Sequence, residues 1–290
     1  MIRSASRFWT LAVGVAALGA GAGQVRAQEA TDLWKKYLIH LPDPEDIVSP
    51  GGFFRGAPGT NSGTPFAFGP GWRDAFIGAG YQNETRGVYN PYTGTASPNN
   101  QSDGSAAFGF GLGNARHLVA LEVAITSLST VRSGWFTRTA FSFKAHRMIS
   151  STAALALGVE NAFIAGGQKA EGTTSWFGVA SKVFVIGGGG DSTSGRALTV
   201  SAGVGTGRFR RPLDISIENA ALNAFGSAAL LVVRQLSVVA DYTGQDLNVG
   251  LSIVPLPSFP VVFTPTIADV TQTASRSARF ILGVGIGMHF

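Results

Sequence analysis

The chain has 290 residues, no cysteine, 39 glycines and 20 phenylalanines, and only 13% of its residues are charged. A soluble domain usually carries about 25% charged residues, so this composition is unusually poor in charge for a water-exposed surface. After the N-terminal region, no stretch has the roughly 20 consecutive apolar residues of a membrane-spanning helix. Low charge without spanning helices favours a closed β-barrel, which satisfies every backbone polar group in lipid.

The N-terminus has the layout of a secretory signal peptide. Arg3 and Arg7 form a positively charged start, residues 8–22 are apolar, and residues 25–27 (VRA) suit a cleavage site with small residues. We therefore expect export and removal of residues 1–27. The remaining chain keeps 19 basic and 17 acidic residues, a net charge near +2. This charge does not support nucleic-acid binding, and the lack of cysteine excludes a lipid-bearing first residue.

Residues 28–70 differ in character from the rest and are predicted to form an N-terminal appendage or plug. Residues 29–39 (EATDLWKKYLI) are compatible with a short amphipathic helix, and the alternative is a frayed segment. Three prolines between positions 42 and 50 would end any helix. The run up to Gly71 is rich in glycine and proline, which is typical of irregular chain. We expect it either in the periplasm or in the mouth of a barrel.

Residues 71–290 consist of short segments that alternate bulky apolar residues with small or charged ones, the pattern of two-faced β-strands. In residues 119–125 (VALEVAI), every odd position is bulky and apolar. In a transmembrane barrel the bulky face meets lipid and the other face lines the lumen. We predict an all-β fold, a transmembrane antiparallel β-barrel of about twelve strands, within a range of about ten to fourteen. The strands are expected near 73–82, 105–113, 117–127, 135–147, 152–162, 174–186, 196–208, 223–234, 235–243, 245–254, 259–268 and 278–290.

The last predicted strand carries a bulky apolar residue at every second position and ends on an aromatic residue. Such an ending resembles the insertion signal that the barrel-assembly machinery recognises in outer-membrane barrels. Pairing of this strand with the first would leave the sheet without an edge. We expect an outer-membrane location, with periplasmic chaperones, the assembly machinery and outer-membrane lipids, including lipopolysaccharide, as partners. The residues of this assembly signal are Phe280, Leu282, Val284, Ile286, Met288 and Phe290.

Charged residues of both signs fall mostly on the small-residue faces of the predicted strands. On a lipid face each charge would cost about 2–4 kcal/mol near the membrane midplane, so we expect these side chains to face the lumen. They would either close the barrel with ion pairs or line a narrow polar pore. The candidates are Glu122, Arg138, Lys144, His146, Glu160, Lys182, Arg234, Asp241, Asp246 and Arg279.

No catalytic, cofactor or metal site is predicted. An outer-membrane hydrolase would need a Ser–His pair with an orienting partner. Of the four histidines, His40 lies in the N-terminal segment and His289 next to the terminus, whereas His117 and His146 are the only candidates for a base. Neither belongs to a recognisable motif. A metal site is not expected because there is no cysteine and no His/acid spacing typical of one.

Two further motifs have structural interpretations. Residues 203–207 (GVGTG) look like a phosphate loop but open no helical pattern, so we expect these glycines to relieve crowding in the lumen or to allow curvature. Arg208, Arg210 and Arg211 form the densest basic patch. They are interpreted as a solvated strand end, with binding of lipopolysaccharide phosphates as the alternative.

Five short sequence segments, distributed over most of residues 70–290, carry a resemblance to a known group of proteins. They are GFGLGN (109–114), FSFKAHR (141–147), WFGVASKVF (176–184), DYTGQDLNVGLSIVP (241–255) and RFILGVGIGMHF (279–290). Together they resemble a family of exopolysaccharide-associated outer-membrane barrels and related uncharacterised barrels of Gram-negative bacteria and cyanobacteria. The resemblance implies a barrel linked to envelope polysaccharide and supplies no catalytic residues.

The leading functional hypothesis is therefore a non-enzymatic outer-membrane barrel, acting as a small channel or as an accessory of envelope polysaccharide export. A hydrolase acting on lipid or sugar is the first alternative. A non-conducting structural barrel is the second. Conductance in a planar bilayer distinguishes the channel from the structural barrel.

Overall fold

The structure is a computed structural model that describes residue 58 and residues 61–97, 101–166, 173–186, 196–233, 235–256, 261–275 and 277–290. The predicted signal peptide, the predicted helix at 29–39, His40 and Arg234 lie outside these residues.

Twelve antiparallel strands close into one barrel, and each strand pairs with its neighbours along the chain. This confirms the predicted all-β fold and the predicted number of strands. Two short strands, β2 (Tyr89–Asn90) and β3 (Thr95–Ala96), pair with each other outside the barrel. The barrel strands are β1 (Asp74–Gln82), β4 (Asp103–Gly113), β5 (Ala120–Ser127), β6 (Thr139–Ser150), β7 (Ala153–Ala165), β8 (Ser175–Ile186), β9 (Arg196–Gly205), β10 (Asn223–Val233), β11 (Leu236–Tyr242), β12 (Leu247–Ile253), β13 (Val261–Ala268) and β14 (Arg279–His289).

Helical structure in the described residues is limited to the connection between β9 and β10. A 3-10 turn covers Gly207–Phe209, and a short helix, α1, covers Pro212–Ser216. None of the helices in the described ranges has the length and apolar character needed to cross a membrane.

The first and last strands close the barrel. They pair in continuous register from Asp74 opposite His289 to Gln82 opposite Ile281. Beyond the strand, the backbone N–H of Phe290 donates a hydrogen bond of 3.0 Å to the carbonyl of Arg73. The barrel sheet therefore has no free edge, which removes a site for unwanted strand pairing.

The two ends of the barrel differ in the length of their connections. One end holds residues 73 and 290 and short connections such as 151–152, and we call it the turn end. The opposite end holds longer connections, including 83–102 and 206–222, and we call it the loop end.

The outer face of the barrel is apolar. Bulky side chains at alternate strand positions are exposed, whereas their strand neighbours are buried in the interior. At the loop end the exposed set includes Tyr81, Trp176 and Tyr242. Representative outward side chains along the rest of the wall are Ile77, Phe108, Leu121, Leu155, Leu157, Phe163, Val204, Val249, Leu251 and Phe280.

Glycines of the inner face make room for aromatic rings of neighbouring strands. A Cβ built at Gly203 would lie 2.4 Å from Cζ of Phe225, which a real side chain cannot tolerate. Gly203 therefore leaves space for the Phe225 ring against the wall. This agrees with the prediction that the glycines of residues 203–207 relieve crowding in the lumen.

Candidate functional site

A segment of chain before the first strand fills the lumen. Residues 61–71 (NSGTPFAFGPG), which we call the inner segment, are all buried. The N-terminal part of the segment contacts Asp241, close to the loop end, and its last residue contacts Asp74 at the turn end. The inner segment therefore runs through the barrel from one end to the other and then turns into β1.

At the loop end the inner segment binds a buried carboxylate on β11. The hydroxyl of Ser62 donates to Oδ1 of Asp241 over 2.6 Å, and the backbone N–H of Thr64 donates to Oδ2 over 3.0 Å. Asp241 is 2% exposed, so both hydrogen bonds form out of contact with water. Hydrogen bonds to a charged acceptor of this kind are stronger than neutral ones.

A guanidinium from the connection after β9 holds the same part of the segment. Nη1 of Arg208 donates to the carbonyl of Gly63 over 2.9 Å. The other edge of the guanidinium makes a two-point ion pair with Glu160, in which Nη2 lies 2.8 Å from Oε1. The interpretation of Arg208 as part of a solvated strand end is therefore wrong, because this side chain is 6% exposed and points into the lumen. Arg211 of the same patch is exposed.

In the middle of the barrel the inner segment has polar and apolar contacts. The backbone N–H of Ala67 donates to Oγ of Ser181 over 2.8 Å. Phe66 and Phe68 belong to a buried apolar cluster inside the barrel. That cluster includes Phe177 and Phe225 from the wall strands and Phe209 from the 3-10 turn after β9. The rings of Phe209 and Phe225 stack with centroids 4.4 Å apart.

Near the turn end, two side chains of β6, Lys144 and His146, bind carbonyl groups of the inner segment. Nζ of Lys144 donates to the carbonyl of Phe68 over 2.9 Å and pairs with Oε2 of Glu122 at 2.6 Å. Nε2 of His146 lies 3.1 Å from the carbonyl oxygen of Pro70. Because a carbonyl only accepts, Nε2 carries the proton, and Nδ1 has no hydrogen-bond partner among the described residues.

The backbone of the inner segment touches the wall directly at Gly111. A Cβ built at this position would lie 2.3 Å from the carbonyl carbon of Pro70 and from the carbonyl oxygen of Gly71. Only a residue without a side chain permits this approach. The inner segment is therefore fitted to the wall by shape as well as by hydrogen bonds.

A second charged cluster closes the loop end beside the inner segment. Asp246 pairs with two guanidinium groups, from Arg279 on β14 at 2.5 Å and from Arg86 in the long connection after β1. Nη1 of Arg279 also contacts Oε1 of Gln82 at 3.4 Å. Burial lowers the pKa of Arg86 to about 10, and the nearby carboxylate of Asp246 acts in the opposite direction. The Arg86 side chain therefore stays charged at neutral pH and ties the connection to the barrel wall.

The structure thus brings most of the charged candidates together in the interior. One of them, Arg138, is buried at the start of β6. Arg234 lies outside the described residues. Those that contact the inner segment or belong to the charged clusters are Glu122, Lys144, His146, Glu160, Asp241, Asp246 and Arg279.

Lys182 is the exception, and the prediction that it faces the lumen is wrong. It lies between the buried residues Ser181 and Val183 on β8 and belongs to the outward set of that strand. Its ammonium donates a hydrogen bond of 2.6 Å to Oγ1 of Thr152 in the turn after β6.

The physical reason for the outward position of Lys182 is that residue size does not mark the lumen on β8. Phe177 and Val179 point inward into the apolar cluster. Gly178 and Ala180 share the outward face with the bulky Trp176.

The two histidines considered as a catalytic base, His117 and His146, lie in different surroundings. The hydrogen bonds of His117 and His146 include no serine hydroxyl within the described chain. His117 is exposed in the connection between β4 and β5, whereas His146 is buried beside the inner segment. Across the described ranges, no three acidic or histidine side chains cluster as metal ligands.

Sequence reasoning did not single out Arg86, gave Arg208 a surface role, and offered residues 28–70 as an appendage or plug without identifying which residues contact the wall. The two arginines lie in connections whose path depends on the tertiary fold, and no local pattern distinguishes them from exposed cations. The inner segment does carry a signal. Its eleven residues include no charged side chain, which is unusual for an irregular segment exposed to water.

No protein-family model and no curated protein matches the chain. The resemblance to exopolysaccharide-associated barrels therefore stays a prediction.

Three solved outer-membrane structures are similar to this chain, each with a TM-score under 0.5. The COG4313 outer membrane channel from Pseudomonas putida F1 has a TM-score of 0.46 and 9% sequence identity, over 77% of this chain and 99% of that one. Omp33 of Acinetobacter baumannii has a TM-score of 0.34 and 10% identity, over 75% of this chain and 98% of that one. OprB of Pseudomonas putida at high pH has a TM-score of 0.30 and 8% identity, over 75% of this chain and 93% of that one.

Proposed function

We propose that this protein is an integral outer-membrane β-barrel that works as a channel, closed in this structure by the inner segment. The observation that carries the proposal is the inner segment itself. It occupies the lumen, yet it contributes no strand to the closed barrel, whose twelve strands already pair with one another. A segment held by side-chain hydrogen bonds can leave the lumen without breaking the sheet.

The distribution of polarity supports the membrane location. Exposed bulky apolar side chains cover the outer face, and Tyr81, Trp176 and Tyr242 lie at the loop end, as expected of an aromatic girdle. Ion pairs such as Lys144–Glu122 lie on the inner face. In outer-membrane barrels short turns face the periplasm and long loops face outward. We therefore assign the turn end to the periplasm.

The membrane location is tested by the electrophoretic mobility of the exported protein. A closed barrel migrates differently in a denaturing gel before and after boiling, and we expect this difference for protein from the outer-membrane fraction. A soluble product after export, with one mobility under both conditions, would refute the location.

The channel is tested by locking the inner segment. A Cβ built at Gly63 lies 3.2 Å from Cγ2 of Thr243, so a Gly63→Cys, Thr243→Cys pair has its side chains close enough for a disulfide. The chain has no other cysteine that would compete. In planar bilayers we expect the oxidised protein to be silent and the reduced protein to give discrete current steps. The single variants, which cannot cross-link, are the controls for oxidation.

Two outcomes separate the alternatives. Silence of the wild type and of the reduced double variant over many insertions contradicts the channel and favours a structural barrel. Equal currents in the oxidised and reduced states contradict closure by the inner segment.

The finer function, transport or export of envelope polysaccharide, is favoured only by the sequence resemblance. It predicts that soluble oligosaccharides reduce the current of the reduced double variant. A current unchanged by oligosaccharides of increasing length would contradict it.

A further inference from the structure

The outer wall of the barrel contains a groove on strands β6 to β9. Its volume is about 700 Å³ and its lining is almost wholly apolar. This volume is within the range of about 300–1,000 Å³ that is usual for sites that bind small molecules. The groove lies on the outward face, so in the proposed orientation it opens toward lipid.

The groove exists because small residues occupy outward positions on two adjacent strands. Gly178 and Ala180 of β8 lie opposite Val204 and Ala202 of β9 in the register. On the other side of β8, Leu157 and Leu155 of β7 lie opposite the same two β8 residues and form a wall. A Cβ built at Gly178 would lie 3.2 Å from Cδ2 of Leu157, so the leucine leans over the groove.

An arginine lies at the end of the groove that is nearest the turn end of the barrel. Arg147 of β6 lines it and is exposed, and no hydrogen bond or ion pair joins its guanidinium to another described residue. In the register Arg147 lies opposite Leu155, which lies opposite Ala180. Lys182, two residues beyond Ala180, is the outward ammonium that binds Thr152.

The described part of the turn end is rich in basic side chains. Arg73, Arg147 and Arg196 are exposed there, and Arg116 and Lys182 are half-buried. The acidic residues of the described chain at this end, Asp74 and Glu122, are buried: Asp74 accepts the N–H of Gly71, and Glu122 pairs with Lys144. An anionic group at this level of the wall therefore meets positive charge without an exposed acidic side chain among the described residues to oppose it.

We propose that this groove binds an anionic glycerophospholipid of the periplasmic leaflet, with an acyl chain along Gly178, Ala180 and Ala202 and its phosphate at Arg147 and Lys182. The proposal rests on the membrane location and orientation given above. Arginine binds phosphate oxygens with two donors, and basic pockets on membrane proteins bind acidic headgroups. The turn end faces the leaflet of glycerophospholipids, which favours this lipid over lipopolysaccharide.

The test is native mass spectrometry of the intact, detergent-purified barrel titrated with dioleoyl-phosphatidylglycerol. One cationic contact near a membrane surface contributes about 1 kcal/mol, so we expect Arg147→Gln to weaken binding about fivefold. Filling the groove with Ala180→Leu and Ala202→Leu together should weaken binding while the outer face stays apolar. The matched controls are Arg211→Gln, an exposed cation at the loop end, and Ala79→Leu, an outward alanine on β1.

The outcomes are distinct. Unchanged phosphatidylglycerol affinity in Arg147→Gln, or an equal loss in Arg211→Gln, overturns the site. If dioleoyl-phosphatidylethanolamine binds as tightly as dioleoyl-phosphatidylglycerol, the proposed preference for an anionic headgroup is overturned. If lipid A binds more tightly than dioleoyl-phosphatidylglycerol, the proposal of a glycerophospholipid is overturned. Each variant is first shown to keep the mobility shift on boiling, so that loss of lipid is not loss of the barrel. If the wild type itself shows no mobility shift on boiling, the proposed membrane location is contradicted, not the lipid site.

Discussion

The hydroxyl of Ser62 donates a 2.6 Å hydrogen bond to the carboxylate of Asp241, a residue 179 positions further along the chain. Such a contact requires that chain preceding the first strand reaches the wall of β11 from inside the barrel. The same carboxylate also accepts the backbone N–H of Thr64. Asp241 is therefore the main anchor of the inner segment near the loop end.

Replacing this anchor should favour the open channel. Asp241→Ala removes two hydrogen bonds to a charged group, each of which contributes about 1.5–3 kcal/mol. Because about 1.4 kcal/mol corresponds to a factor of ten in an equilibrium constant, we expect the fraction of time spent conducting to rise tenfold or more. Single-channel recording measures this fraction of time spent conducting. Asp214→Ala, on α1 outside the lumen, is the control and should behave as the wild type does.

A methyl group at Gly111 should displace the inner segment without opening the wall. In Gly111→Ala the new Cβ would lie 2.3 Å from backbone atoms of the inner segment, which cannot yield as a side chain does. We expect faster amide hydrogen exchange in residues 61–71, with the mobility shift on boiling retained. Gly178→Ala is the matched control, because its Cβ meets only a flexible leucine methyl at 3.2 Å. Equal protection of residues 61–71 from hydrogen exchange in both variants would contradict the close fit of the inner segment against Gly111.

Neutralising Asp246 should weaken the loop end. Asp246→Asn leaves the buried guanidinium groups of Arg86 and Arg279 without their shared carboxylate. Breaking a buried ion pair by removing one partner costs about 3–5 kcal/mol. We expect the temperature at which the barrel unfolds in detergent to fall, and protease to cleave the connection 83–102 more rapidly. Asp214→Asn should leave both measurements unchanged.

Removing the last residue should impair assembly. Phe290 is exposed, and its N–H binds the carbonyl of Arg73 beyond the paired part of β1 and β14. Deletion of Phe290 is expected to lower the yield of heat-modifiable barrel in the outer membrane several-fold. Phe163→Ala, which removes an equally exposed outward ring on β7, serves as the comparison. Equal yields would show that the terminal aromatic is not an assembly signal.

The strands could be predicted because the alternation of bulky and small residues is a local property with period two. Even the expected strand at 259–268, which contains Pro265, is present as β13, and Pro265 is paired in register with Leu282 of β14. On the other side of β13 the ladder with β12 is interrupted at Pro265, between the pairs Gly250–Thr266 and Ile253–Phe263.

The site could be predicted only in part. Charges on the inner face, such as Glu122 and Lys144, follow from the cost of placing charge in lipid. Which of them pair, and with what, depends on cross-strand register, which the sequence alone does not contain.

Lys182 shares its strand face with the small residues Gly178 and Ala180, a pattern that predicts a lumen position. On β8 that face is the outer one, because it also carries the exposed Trp176 and Phe184, whereas Phe177 lies on the inner face.

The place of the inner segment in the chain has a consequence for biogenesis. It precedes β1 and is therefore made before any strand of the wall. Its partners lie on β6, β8 and β11, as well as in the connection that carries Arg208. The binding surface for the inner segment exists only once these strands stand together. The earliest-synthesised part of this assembly is thus among the last to reach its final position.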